Sequence, residues 1–491
     1  VTRVEGHGKV TIHLDEQNKV KDSFFHIVEF RGFERFIQGH PYWEAPVLVQ
    51  RLCGICPVSH HLAAAKAIDQ IVGINPEDLS IPAQKIRKLL HFGQVFQSHA
   101  LHFFYLASPD LLFGVNADPA KRNVAEVAIE HLDLAKKGIL MRKFGQEIIK
   151  AIAGKRIHGI SAIPGGVHKK ITLKDRDYFL NSKDIPSVDA MINWSKEIID
   201  FLKGYHEINH KWLDEFAKYP SGHLGLVNKK NGFLELYDGN LRALDANGKV
   251  ILNDIPSDDY IQYFNEGVEK WSYLKFPYLK DLGKEKGWNR VGPLARLNVC
   301  NGIETPFAEE ERIIFKLATN GKVNNKTMYS HWARLIEMLY CAEMMKKLLN
   351  DEDILSKTKN FQSAFDKESK LALEKLVEIQ RTGTSRVTRE ALLRGIDDAF
   401  MKALKKNPSN KELPFEKTQV VSKAIRHRIS QIALKSNSNP SALITNATTS
   451  AVKETTNAAN SVRLQITLRE EGLEWATSSQ DGKLKNRLQP E

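Results

Sequence analysis

Two of the four cysteines in this 491-residue chain stand three apart, in Arg51-Leu52-Cys53-Gly54-Ile55-Cys56, and that spacing is the first place where chemistry is available. A pair spaced this way at the start of a helix turns both sulfurs toward one point and meets the first free backbone N–H groups, which suits metal binding or redox exchange. Three readings of the residues stand side by side. A zinc knuckle needs a second Cys or His pair at related spacing, whereas Cys300 and Cys341 are single and distant. A thioredoxin-like dithiol needs a buried strand before it in a βαβ unit, whereas residues 42–52 read as an amphipathic helix. Plain packing of small apolar side chains is the third.

The elements that must position the pair follow from periodicity. Residues 8–30 alternate apolar and polar on both sides of Asp15-Glu16-Gln17-Asn18, a hairpin signal. Helical spacing takes over from Pro46 to about Leu106, and residues 56–73 predict a helix that begins near Cys56 and closes at Gly73. Cys53 and Cys56 therefore belong at a helix start. Further helices are predicted over 123–153, 187–217, 307–318 and 329–349, with short hairpins inserted at Asp238-Gly239 and Asn247-Gly248. The fold class is α+β and predominantly helical, with a small N-terminal sheet. Composition shifts near residue 355. Beyond it come two amphipathic patterns, "SKLALEKLVEIQ" and "TREALLRGIDDAFMKALKK", and a Ser/Thr/Asn-rich stretch over 435–461 that reads as a linker. Two domains result, 1–355 and a helical, partly flexible extension over 356–491.

Composition narrows the function classes. A chain that is 42% hydrophobic over this length buries a sizeable core without covalent staples. Four cysteines make no secreted disulfide framework, and neither a leader nor an 18-residue apolar run is present, so a soluble cytoplasmic protein without a membrane partner is expected. The first residue is Val1, not methionine, so a short N-terminal signal would escape this reading. The net charge of +12 raises nucleic acid as a partner. Its most basic stretch, Lys402 to Lys435, sets nine Lys/Arg against two acids but has almost no aromatics for base stacking and matches no nucleic-acid module. A solvated helical face explains it better.

The string Arg51-x-Cys53-Gly54-x-Cys56-x-x-x-His60 resembles the N-terminal cysteine signature of the large subunit of [NiFe]-hydrogenases, and other segments agree in order and spacing. "VTRVEGHGKV" resembles that family's opening motif, "RGFERF" lies ahead of Cys53 where the family has such a segment, and "HGISAIPGG" at 158–166 is similar to its His-Gly/Pro-Gly-Gly motif. "VGPLARLN" at 291–298 and "NNKTMYSHWARLIEML" at 324–339 continue the resemblance, which runs to about residue 355 and is closest to the cytoplasmic NAD-reducing bidirectional branch.

The resemblance implies a hydrogenase large-subunit-like helical bundle and a nickel–iron centre whose iron carries small diatomic ligands. On the matching positions Cys53 would be a terminal nickel ligand and Cys56 a thiolate bridging nickel and iron; soft sulfur suits both metals. Glu5 matches the family's proton-gate glutamate, otherwise an acid at a strand start. Glu34 matches a carboxylate ligand of a structural Mg²⁺ or similar hard cation. His60 would orient a cysteine sulfur, and Arg51 would offset thiolate charge, unless both simply make helix-terminus bonds. Ser98 aligns with a position that is acidic in some branches. The implied partners are a diaphorase that reduces NAD⁺ and an iron–sulfur small subunit, with neither NAD⁺ nor an iron–sulfur cluster bound by this chain.

The family's second ligand pair, Asp-Pro-Cys-x-x-Cys, and its Ala-Pro-Arg-Gly canopy segment are not found in this sequence. Cys341 falls on an apolar helical stripe and Cys300 stands singly, so both are expected in the core. Two function classes follow: an H₂-oxidising large subunit impaired by the missing pair unless another chain supplies it, and a non-catalytic docking subunit on the same scaffold.

Overall fold

The computed structural model describes residues 6–29, 32–40, 44–71, 75–114, 116–163 and 165–356. The alternating N-terminal stretch forms the antiparallel pair β1 (Gly8–Leu14) and β2 (Val20–Ile27), in register from Gly8 opposite Ile27 to His13 opposite Asp22, with a one-residue shift before Leu14 opposite Val20. The Asp15 carboxylate accepts the N–H groups of Gln17 and Lys19 and closes the turn. Phe24 and His26 on one face pack against Trp271.

Two single-turn helices follow, α1 (Phe33–Phe36) and α2 (Ala45–Leu48), the second running into a 3₁₀ turn over Val49–Leu52. The amphipathic helix expected over 42–52 is thus one α turn plus one 3₁₀ turn, because Pro46 at the helix start leaves little length before Cys53 takes an extended backbone. Then come α3 (Pro57–Ile71) and α4 (Ile81–Leu101). Ser80 caps α4 by accepting the Ala83 N–H. Its last turn widens into a π-helical segment, His102–Ala107, that leads into α5 (Ser108–Phe113).

The helix expected over 123–153 is two, α6 (Val124–Glu130) and α7 (Leu132–Ala153), since His131 leaves the helical region between them. Glycine lets α4 and α7 approach closely: a Cβ on Gly93 would stand 2.8 Å from Ile148, and one on Gly145 would stand 2.6 Å from the Gly93 carbonyl oxygen. The short hairpin β3 (Ala162–Ile163) and β4 (Gly166–Val167) precedes α8 (Leu173–Asn181), started by a Thr172–Asp175 capping box, and the long α9 (Val188–Glu215).

The inserted β region comprises β5 (Gly222–Val227), β6 (Asn240–Leu244), β7 (Val250–Ile255), α10 (Tyr260–Tyr263), β8 (Phe264–Val268), β9 (Lys275–Leu279), α11 (Gly283–Lys286) and β10 (Asn289–Arg290). One sheet has the order β10-β5-β6-β7, with β10 parallel to β5, and β8 and β9 pair separately. Asn247-Gly248 does turn the β6–β7 hairpin. Asp238-Gly239 instead leads into β6, and the chain reverses earlier, where the Asn228 N–H meets the Phe233 carbonyl. Gly239 serves close approach: a Cβ there would lie 2.5 Å from the Val227 carbonyl oxygen.

The last elements are α12 (Pro293–Val299), α13 (Pro306–Leu317), α14 (Ser330–Leu349) and a 3₁₀ turn over Glu352–Leu355. α14 is the spine: it is buried nearly all round and packs against α4, α9, α12 and α13. The closing turn is tied back to α4, with Ile354 fully buried and Lys85 paired to Asp351 and Asp353 at 2.6 and 2.7 Å. The amphipathic helices and linker expected over 356–491 lie outside the described residues from 357 onward.

Candidate metal-binding loop and adjoining cavity

Cys53-Gly54-Ile55-Cys56 forms the turn between the 3₁₀ segment and α3, and both cysteines are half-buried. Cys53 Sγ accepts the backbone N–H groups of Ile55 and Cys56, each at 3.4 Å. The Cys56 carbonyl accepts the N–H groups of Ser59 and His60, opening α3. Behind the turn, the Ile55 carbonyl accepts the side-chain amides of Gln94 and Gln97 on α4, at 2.9 and 3.0 Å. On the other side His158 Nε2 lies 3.3 Å from the Cys53 carbonyl oxygen, and His158 itself holds a left-handed backbone, φ +55°.

His61 locks the whole arrangement. Its ring is 1% exposed; Nδ1 donates to the Pro46 carbonyl at 3.0 Å and Nε2 accepts the N–H groups of Ser161 and Ala162 at 3.2 and 3.0 Å. This pattern requires the neutral ring protonated on Nδ1. Burial, with a contribution from Arg87, pushes the His61 pKa below its ordinary value and keeps the ring neutral. The β3–β4 turn that His61 reaches is held by a second buried cluster. Arg87 Nη1 pairs with Asp69 at 2.6 Å, the guanidinium also donates to the Ile163 and Gly166 carbonyls, and Asp69 accepts the Gly165 N–H. The "HGISAIPGG" segment is therefore built against the cysteine loop.

Cys56 opens onto a cavity of about 420 Å³. α4 supplies one wall through His91, Gln94, Ser98 and His99; β5 and the segment before β6 supply the apolar wall. Arg296 of α12 closes it, and its Nε and Nη2 each donate to Glu337 of α14 at 2.6 Å. The Glu337 carboxylate, fully buried, also accepts His99 Nε2 at 2.9 Å. Burial opposes its ionisation, but the Arg296 guanidinium and His99 override this and hold its pKa down to about 2. Burial lowers His99 to about 4 against the pull of Glu337. Two buried atoms of the α4 wall, Gln94 Oε1 and His91 Nδ1, have no hydrogen-bond partner and leave acceptor positions open.

The sequence-derived residues divide accordingly. Cys53 and Cys56 share one turn, of which Cys56 lines the cavity, with His60 half-buried in the first turn of α3, where burial lowers its pKa. Arg51 is exposed in the 3₁₀ turn before Cys53, and Glu34 is exposed on α1. Glu5 lies outside the described residues. Sequence reasoning passed over His61, Gln94, Gln97, His99 and Glu337. The doubled His60-His61 was a signal for the first; the others sit at helical spacing like any core-facing polar residue and carried none.

A nickel–iron group calls for soft donors. Two soft thiols in one short turn suit such metals, and they would be one half of the four-thiolate centre that the resemblance implies. Among the described residues no group of three or more His, Cys, Asp and Glu side chains gathers in metal-binding array. Cys300 and Cys341 are 5% and 0% exposed in the core and cannot complete the set.

Comparison with known proteins agrees with this geometry. The family model described as HoxL-like matches residues 1–30, and the one described as nickel-dependent hydrogenase matches residues 31–138. The NAD-reducing hydrogenase HoxS subunit beta of Cupriavidus necator is 46% identical over 358 residues, covering 72% of this chain and 73% of that protein. One subunit of the F420-non-reducing hydrogenase vhu of Methanocaldococcus jannaschii is 44% identical over 356 residues, covering 72% of this chain and 82% of that protein. Among solved structures, an NAD⁺-reducing [NiFe]-hydrogenase in the H₂-reduced state superposes with a TM-score of 0.69 at 50% identity, covering 72% of this chain and 77% of that one. The cysteine loop, the segments built against it and these similarities together place the chain in the nickel-dependent hydrogenase large-subunit family.

Proposed function

We propose that this chain is the large subunit of a cytoplasmic [NiFe]-hydrogenase that oxidises H₂ reversibly, H₂ ⇌ 2H⁺ + 2e⁻, and passes the electrons through an iron–sulfur small subunit to a diaphorase that reduces NAD⁺. The observation that carries this is the loop: two half-buried cysteines three apart in one turn, Cys56 lining a cavity, in a backbone tied to α4 and to His158. The likeness to an NAD-reducing relative supports the choice of acceptor. Among the described residues no helix is long and apolar enough to cross a membrane, which is in keeping with a soluble complex.

Cys53 and Cys56 would hold the nickel–iron group from one side, and that group supplies, when bound, the heterolytic cleavage of H₂. The chain's own residues do the rest. Glu5 takes up the released proton as an acid–base group. Arg51 offsets thiolate charge from the solvent side, and His60 orients a sulfur from α3. Glu34 provides one oxygen of a hard-cation site such as Mg²⁺. The apolar cavity wall excludes water from the reacting face of Cys56. Residues 1–355 form the hydrogenase module, closed by the Lys85 clamp on Asp351 and Asp353, and 356–491 form a separate extension.

The count of thiols favours a second reading. With two of four cysteines buried in the core, two more thiolates must come from elsewhere for turnover, and without them the chain is impaired and serves as a docking subunit on the hydrogenase scaffold. Metal analysis of the complex purified with its small subunit separates the two. Stoichiometric nickel and iron with dye-linked H₂ uptake supports the enzyme; stable small-subunit binding with neither metal supports docking.

A further inference from the structure

We propose that Gln94 and Gln97 are positioning residues for the cysteine loop, setting its metal-ready geometry before any metal arrives; this rests on the reading of Cys53 and Cys56 as metal ligands. Both side chains are almost completely buried, 1% and 3% exposed, and they lie three apart on one face of α4. Their amide nitrogens converge on a single oxygen, the Ile55 carbonyl. A carbonyl needs one donor to be satisfied; two donors on its two lone pairs also fix the direction of the C=O bond.

That direction matters because the Ile55–Cys56 peptide is planar and trans, so its C=O and N–H point opposite ways. Holding the carbonyl toward α4 aims the Cys56 N–H away from it, and that N–H meets Cys53 Sγ at 3.4 Å. One rotation of this plane would release both contacts at once. The loop has freedom to lose: a Cβ on Gly54 would find nothing within 4 Å, so no side-chain packing restrains its middle. α4 is a suitable anchor, being 21 residues long and packed on α7 and α14. Gln94 also keeps Oε1 buried and unpartnered on the cavity wall, a cost that an apolar residue of the same size would avoid.

The test uses the metal-free full chain titrated with Cd²⁺, read by thiolate-to-cadmium charge-transfer absorption. Wild-type binding should disappear in Cys53→Ser; if it does not, the metal-ligand reading fails, whatever the glutamines do. Replacement of Gln94 and Gln97 by methionine keeps length and packing but removes both donors. The double variant should bind Cd²⁺ about tenfold or more weakly, with an altered band, while its melting temperature stays close to wild type. Equal affinity and an equal band in the double variant would overturn the positioning role. Hydrogen exchange of the wild-type chain decides the matter independently, should the variant not fold: the Cys56 amide should be protected like the middle of α4, and exchange at the rate of an open loop would sink the proposal.

Discussion

Cys53 and Cys56 carry the same functional group as Cys300 and Cys341, in opposite surroundings. The first pair sits half-buried at a helix start, with N–H groups turned toward a sulfur and a cavity beside it. The second pair is sealed in apolar packing: burial pushes the Cys300 thiol up to about 11, and burial reinforced by Glu337 pushes Cys341 well above the ordinary thiol range. Ligation requires a thiolate, so burial disfavours metal binding by the core pair. Position in the fold, not residue type, decides which sulfurs can bind metal.

The sharpest way to break that comparison is to exchange the roles. Cys53→Ala or Cys56→Ala should abolish nickel retention by the assembled complex, whereas Cys341→Ala should retain it; loss of nickel in Cys341→Ala would end the distinction. Alkylation offers a second measure: iodoacetamide should modify two of the four thiols in the native chain and all four in guanidinium, counted by mass. Next in size is Glu337→Gln, which leaves Arg296 and His99 without their buried anion and should cost on the order of 3 kcal/mol in urea unfolding.

The same network sets an acid limit on stability. Glu337 titrates lower in the folded chain than its ordinary 4.5, so its contribution is complete above that value and lost as pH falls toward about 2. His99, neutral when buried, loses its contribution between 6.5 and about 4. Both slopes run the same way, and the lower one should flatten in Glu337→Gln, as read from thermal melts across pH. The smallest effect is expected for Lys85→Ala: its pairs with Asp351 and Asp353 are partly solvated, so no more than about 1 kcal/mol should be lost.

Much of the site could be read in advance because its residues are close in sequence. Cys53 and Cys56 at a helix start, the β1–β2 hairpin and α9, α13 and α14 all follow from spacing and periodicity within single segments. Misreadings arose where one residue type has two uses. Gly239 looked like a turn glycine but serves close approach to the Val227 carbonyl, and Pro46 stood in an apparent helix that it shortens. Gln94, Gln97 and Glu337 were invisible, since a buried polar residue on a helix face has no local pattern that distinguishes it from an exposed one.

The sequence by itself determined the chemistry on offer: two soft donors three residues apart, the helix that starts behind them, and the segments whose order marks the family. These are local properties, set by backbone periodicity and residue type. Only the tertiary structure decided which polar groups meet: that Gln94 and Gln97 hold Ile55, that His61 joins Pro46 to β3, and that Arg296, His99 and Glu337 share one buried charge. The partners in these bonds come from elements up to 238 residues apart, and their pairing is dictated by the packing of α4, α12 and α14, because a buried polar group is stable only where another reaches it.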